Sequence, residues 1–135
     1  MSAALPLLSH VSIGTNQLEP ALKFYDAVMH SLGAKRILDI PGMAVGYGRQ
    51  SPDFWVQLPH NRKPAGVASN GMHFCFAAEN AEQVHAFHAA AIAHGGTDAG
   101  APGPRPDYSP AYYAGFVYDP EGHKLEAMFW DESKA

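Results

Sequence analysis

The sequence predicts an α+β fold made of two copies of one strand–helix–strands unit. Three observations carry that expectation: a repeat at constant offset, two capped helical periods, and short alternating strand patterns around them. Pairs of like residues recur 63 positions apart: His10 with His73, Glu19 with Glu82, Phe24 with Phe87 and Gly33 with Gly96. Both halves run in one order: strand, His, capped helix with Phe on its inner face, Gly stop, then strands. Self-similarity of this kind describes the whole architecture. The halves divide at about residue 62, giving modules over 1–62 and 63–135.

Leu7–Ile13 reads as a strand, with His10 and Ser12 on one face and Val11 and Ile13 on the other. Asn16 with Glu19 resembles a capping box, and Pro20 fits a first turn. Ala21, Phe24, Tyr25, Val28, Met29 and Leu32 then recur at helical spacing, and Gly33 stops the helix. Residues 37–40, 44–47 and 54–58 are three strand candidates, separated by Pro41-Gly42 and by a turn containing Ser51-Pro52. Residues 59–71 carry breakers and no apolar period, as a linker would.

Met72–Ala77 opens the second half as a strand, with His73 and Cys75 on one face. Asn80 and Gln83 form the cap of a helix over 81–94, closed by Gly95-Gly96. Residues 97–110 hold four prolines and read as a loop, functional or disordered at that length. A strand follows over 111–118. Asp119-Pro120-Glu121-Gly122 is a turn. From His123 to Phe129 the chain alternates, with Lys124, Glu126 and Met128 on one face and Leu125, Ala127 and Phe129 on the other. Glu126 thus stands amid apolar residues, where a carboxylate must be paired, protonated or bound to a metal.

Composition excludes several classes. The 135 residues carry a formal charge of −4, which gives no support to nucleic-acid binding. Cys75 is the single cysteine, so an intrachain disulfide and a Cys-rich zinc site are both out. The opening at Ala3–Leu8 is a poor signal peptide, and no apolar run nears the ~20 residues a bilayer span needs. The expectation is a cytoplasmic protein without nucleic-acid or membrane partners.

Extending the repeat to the last strand of each half sets Gln57 against Glu126, with Trp55 the competing match on the same face. His10, His73, Gln57 and Glu126 then occupy equivalent places and can converge about a pseudo-twofold axis. Two His and a carboxylate suit a divalent transition metal, and a fourth oxygen donor is compatible.

These residues, His10 in SHVSI, His73 in GMHFCF and Glu126 in DPEGHKLEAMF, resemble the vicinal oxygen chelate superfamily of glyoxalase I, extradiol dioxygenases and fosfomycin- and bleomycin-resistance proteins. The resemblance spans nearly the whole chain, and the DPEG turn with its following Glu is its most specific piece. It implies tandem βαβββ modules curling into a mixed-sheet cup, and a homodimer. It also implies one divalent metal (Zn, Ni, Mn or Fe) on His10, His73 and Glu126, with Gln57 as fourth ligand.

The implied activity is a lyase or isomerase reaction on a small substrate with vicinal oxygens, with Glu126 or Gln57 as general base. Ring-cleaving dioxygenation is the alternative, and a metal-free protein sequestering an antibiotic-like ligand is another. Trp55, Tyr47, Arg105, Tyr108 and Tyr112 are the candidate substrate contacts, Arg105 for an anionic group. Phe74 joins Trp55, Tyr47 and Tyr112 in the sequestering alternative. His123, beside the turn, is expected to be solvated.

Overall fold

A computed structural model describes residues 4–135; Ala3, at the start of the apolar opening, lies outside them. The elements are β1 (Val11–Gly14), α1 (Leu18–Ser31), β2 (Lys35–Ile40), β3 (Ala44–Gly48) and β4 (Phe54–Gln57) in the first half. The second half has β5 (His73–Ala77), α2 (Ala81–Ala93), β6 (Thr97–Pro104), β7 (Tyr112–Tyr118) and β8 (Lys124–Trp130). Each half folds as βαβββ, in sheets ordered β1-β4-β3-β2 and β5-β8-β7-β6. The first and last strands of each half pair in parallel; the other pairs are antiparallel. The fold class is α+β, as the repeat implied.

Each sheet turns one face to its helix. Leu125 and Ala127 of β8 and Val117 of β7 are fully buried on that side, while Lys124 and Glu126 point the other way. The helix-side residues of both halves merge into one core. Phe24, Tyr25 and Val28 of α1, Phe54 and Val56 of β4, and Phe87 and Ala91 of α2 belong to a single cluster. Phe54 stacks edge-on against Phe74 and Phe76, and Phe76 against Phe87, which carries the aromatic core across the boundary between the halves. Phe87→Ala is therefore expected to cost about 3–5 kcal/mol, because the cavity opens in a core that both halves share. Denaturant unfolding should show one cooperative transition at lower midpoint, and separate transitions for the two halves would contradict the shared core.

A polar network also ties the halves. In the DPEG turn the Gly122 N–H donates to the Asp119 carbonyl, and Gly122 takes φ +93°, a conformation that favours glycine. The Asp119 carboxylate accepts from the backbone N–H of Glu121 and His123 and from the Tyr25 hydroxyl of α1 at 2.6 Å. His123 Nδ1 lies 2.8 Å from the same carboxylate. His123 is thus buried rather than solvated, since the carboxylate draws the ring inward.

Three expectations change. Residues 97–104 form β6, not a loop: an edge strand with irregular register, paired only to β7, which tolerates Pro102 and Pro104. The cap of α1 is Gln17 without a side-chain bond; Asn16 instead bonds the backbone of Ala65, pinning the linker. Leu7–His10 precede β1 and are exposed, so His10 sits just before the strand. The Asn80 cap does form, its side chain accepting from the Gln83 N–H. No helix among the described residues is long and apolar enough to cross a membrane.

Candidate functional site

Strand register decides which side chains meet. On the helix-free face of the second sheet, Cys75 of β5 lies opposite Glu126 of β8, which lies opposite Phe116 of β7. His73 lies opposite Lys124 on the same face. His73 Nε2 is 3.1 Å from Glu126 Oε1, and the Tyr112 hydroxyl donates to Glu126 Oε2. Glu126 is 3 % exposed. Among the described residues the only potentially cationic group within ion-pairing distance of it is His73. A buried carboxylate with no Lys or Arg beside it is paired, protonated or bound to a metal ion.

Tyr112 and Cys75 complete this shell. Burial, then the hydrogen bond to Glu126, raise the Tyr112 phenol well above its ordinary value, so it remains a donor. Crowding around the Cys75 sulfur, then the charge of Glu126, push the thiol up to about 12, so Cys75 is a protonated neighbour rather than a nucleophile.

The first half is built differently. Its register sets Trp55 opposite Ser12, where the second half has Glu126 opposite Cys75. Gln57 pairs with Gly14, the place that Met128 and Ala77 fill in the second half. Trp55, not Gln57, is therefore the structural counterpart of Glu126, and the alignment that matched Gln57 to it is corrected. The two-residue error arises because both positions share a face, and only hydrogen-bonded register separates them. The indole occupies the space over Gly46, where a Cβ would come within 2.7 Å of Trp55 Cε2.

His10 stands beside Trp55, ring centroids 6.5 Å apart, and shares a cleft of about 270 Å³ with His73. It does not join the His73–Glu126 pair: no three His, Cys, Asp or Glu among the described residues group closely enough to hold an ion. One chain thus offers two suitable donors at the pair, with a third, the His10 imidazole, across the cleft.

The expected substrate contacts divide. Tyr112 and Trp55 face the two cup surfaces, and Tyr108 packs edge-on against Tyr112. Tyr47 is a core residue instead: it is 1 % exposed and bonds Asp26 of α1 at 2.7 Å, because its register with Phe54 turns it to the helix side. Phe74, in register with Leu125, is likewise on the core side. Arg105 spends its guanidinium on the carbonyls of Ala101, Gly103 and Pro104. Sequence reasoning missed Lys124 as a site residue, although its place two residues before Glu126 on the same face was visible.

A model of the Glyoxalase/Bleomycin resistance protein/Dioxygenase superfamily matches residues 7–127. The chain is similar to a glyoxalase/bleomycin resistance protein from Albidiferax ferrireducens T118, with 36 % identity, 92 % of this chain and 98 % of that chain covered, and a TM-score of 0.79. A glyoxalase-related enzyme from Fulvimarina pelagi aligns at 20 % identity over 93 % and 88 % of the two chains, TM-score 0.69. Lactoylglutathione lyase from Agrobacterium tumefaciens aligns at 22 % identity over 94 % and 95 %, TM-score 0.61; these last two share the fold. No curated protein sequence matches the chain.

Proposed function

Since the chain belongs to the glyoxalase/bleomycin resistance protein/dioxygenase superfamily, we propose that it is a divalent-metal-dependent enzyme acting on a small substrate with vicinal oxygens, by lyase or isomerase chemistry. The observation that carries the reading is Glu126, a buried carboxylate paired with His73 and lacking any Lys or Arg partner among the described residues. His73 and Glu126 fit a divalent ion as donors, and Tyr112 orients the carboxylate as an outer-shell partner. A bound ion would polarise the substrate oxygens.

His10 is the third donor in this reading, supplied by a second copy of the chain. β1 and β5 are both open sheet edges, and open edges are normally covered. A homodimer that covers them brings a first-half face to a second-half face. Gln57 leaves the donor set, and its amide lacks the basicity a proton acceptor needs. Glu126 would act as general base when it is not bound to the ion, taking a proton at Oε1 while the Tyr112 hydroxyl donates to Oε2.

A second reading follows from Trp55. With an indole where a fourth donor would stand, two His and one carboxylate leave several positions open, a set that also suits Fe(II) dioxygenation. Elemental analysis of protein purified without chelators tests both readings. About one ion per chain is the expected result; Zn, Ni or Mn favours the isomerase and Fe the dioxygenase. His10→Ala and Glu126→Gln should each lose the ion, and refolding the two variants together should restore part of it, because a mixed dimer rebuilds one intact site. No ion in the wild type, and no uptake of any of the four, would sink the metal reading and leave a ligand-sequestering cup. Metal regained by neither mixture nor dimer would place His10 outside a shared site.

A further inference from the structure

Phe116, opposite Glu126, has two cations near its ring: Arg105 Cζ is 5.4 Å from the ring centroid and Lys124 Nζ is 5.3 Å from it. The two cations are not equivalent. Arg105 donates to Ala101 O at 2.6 Å and to Gly103 O and Pro104 O at 3.3 Å each, so it serves to fasten the end of β6. Lys124 has no carboxylate partner among the described residues, and Glu126, two residues along the same face, is beyond ion-pairing distance. Its ammonium keeps its hydrogen-bond donors available, and an aromatic face holds the cation without using them.

Lys124 also lines a cavity of about 280 Å³ with His73, Tyr118, Gly122 and the 68–72 segment. This space is predominantly polar and is bordered by His73, the partner of Glu126. It therefore presents one unspent positive charge next to the proposed reaction centre, in a chain whose formal charge is −4.

We infer that Lys124 is the substrate-anchoring residue, holding an oxyanion group, a carboxylate or phosphate, of the small molecule whose vicinal oxygens meet His73 and Glu126. The inference deepens the proposed function and rests on it for the identity of the reacting end. The role that the sequence suggested for Arg105 passes to Lys124, and Arg105, committed to carbonyls, adds to the positive field at the Phe116 ring. The substrate class is thus a small organic acid or phosphate ester carrying its anionic group near two adjacent oxygens.

The test uses inorganic phosphate as probe, titrated calorimetrically into metal-free protein at low ionic strength. Wild type should bind saturably, and Lys124→Met should weaken binding by about tenfold or more, the loss expected for a charge-assisted hydrogen bond. Lys124→Arg should stay within a few-fold of wild type, since charge and donors are kept. Lys35→Met, on the exposed strand β2, should change nothing. Equal affinities in wild type and Lys124→Met, or no saturable binding by wild type, would overturn the assignment. The two readings fail separately: phosphate bound through Lys124 by a protein that takes up no metal upholds the anchor and overturns the metal centre. Metal uptake without phosphate binding does the reverse.

Discussion

Glu126→Gln is expected to lower divalent-metal affinity by more than about a hundredfold while leaving the fold intact. Loss of an outer-shell partner alone typically costs about 10–100-fold, and loss of the carboxylate ligand itself should exceed that. The amide keeps the volume of the side chain and an oxygen that can accept from Tyr112, so the packing around β8 has no reason to change. It also removes a buried negative charge, and the His73 ring left behind is 44 % exposed and keeps water as a partner, so no buried charge is stranded in the apo protein. The two readouts should therefore move apart: metal content falls and the denaturation midpoint holds. A variant that retains wild-type metal excludes Glu126 as a ligand. A variant that loses both metal and stability makes the carboxylate a structural partner of His73.

The second large effect lies away from the site. Asp119→Ala is expected to destabilise the protein by about 3–5 kcal/mol, because it strips the buried His123 ring and the Tyr25 hydroxyl of their common partner. The same network gives stability a pH dependence with a definite sign. Burial pushes the Asp119 carboxyl up, but hydrogen bonds from His123 and Tyr25 outweigh it and hold it below its ordinary 3.8. The hydrogen bond to Asp119 raises His123 above its ordinary 6.5, against the opposing effect of burial. A depressed carboxyl contributes stability above its unfolded value and loses it as pH falls through the folded one. A raised imidazole contributes fully below its unfolded value and loses it as pH rises through the folded one. The network is therefore at full strength between pH 3.8 and 6.5 and weakens on either side. Urea denaturation across that range should show the wild-type maximum, and Asp119→Ala should flatten it. A variant with an unchanged midpoint at pH 6 would show that the network carries no net stability.

The DPEG turn thus has a structural meaning that its sequence only half disclosed. Pro120 and Gly122 announce a turn, and Asp119 is an ordinary turn residue by composition. That its carboxylate reaches Tyr25 of α1, 94 residues away in sequence, follows from packing of one half on the other. The expectation of a solvated His123 fails for the same reason: its place just before β8 says where the chain turns, not what covers the ring.

The sequence alone determined the α+β class, the repeat, both helices, the Asn80 cap and the faces of β8, because each is read along the chain, from spacing within a few residues or from likeness between its halves. It also nominated Glu126 and His73, since a carboxylate in an apolar strand is a local signal and the offset of 63 is read by comparing the two halves of the sequence. Tertiary structure decided what depends on pairing between distant segments. Register placed Trp55, not Gln57, at the counterpart of Glu126, because positions two apart on a strand share a face and differ only in their hydrogen-bonded neighbour. Edge position made β6 a strand despite its prolines, and the shared core drew Tyr47 inward. Only the folded chain shows Arg105 turned back on the end of β6 while Lys124, beside Phe116, has no carboxylate partner among the described residues.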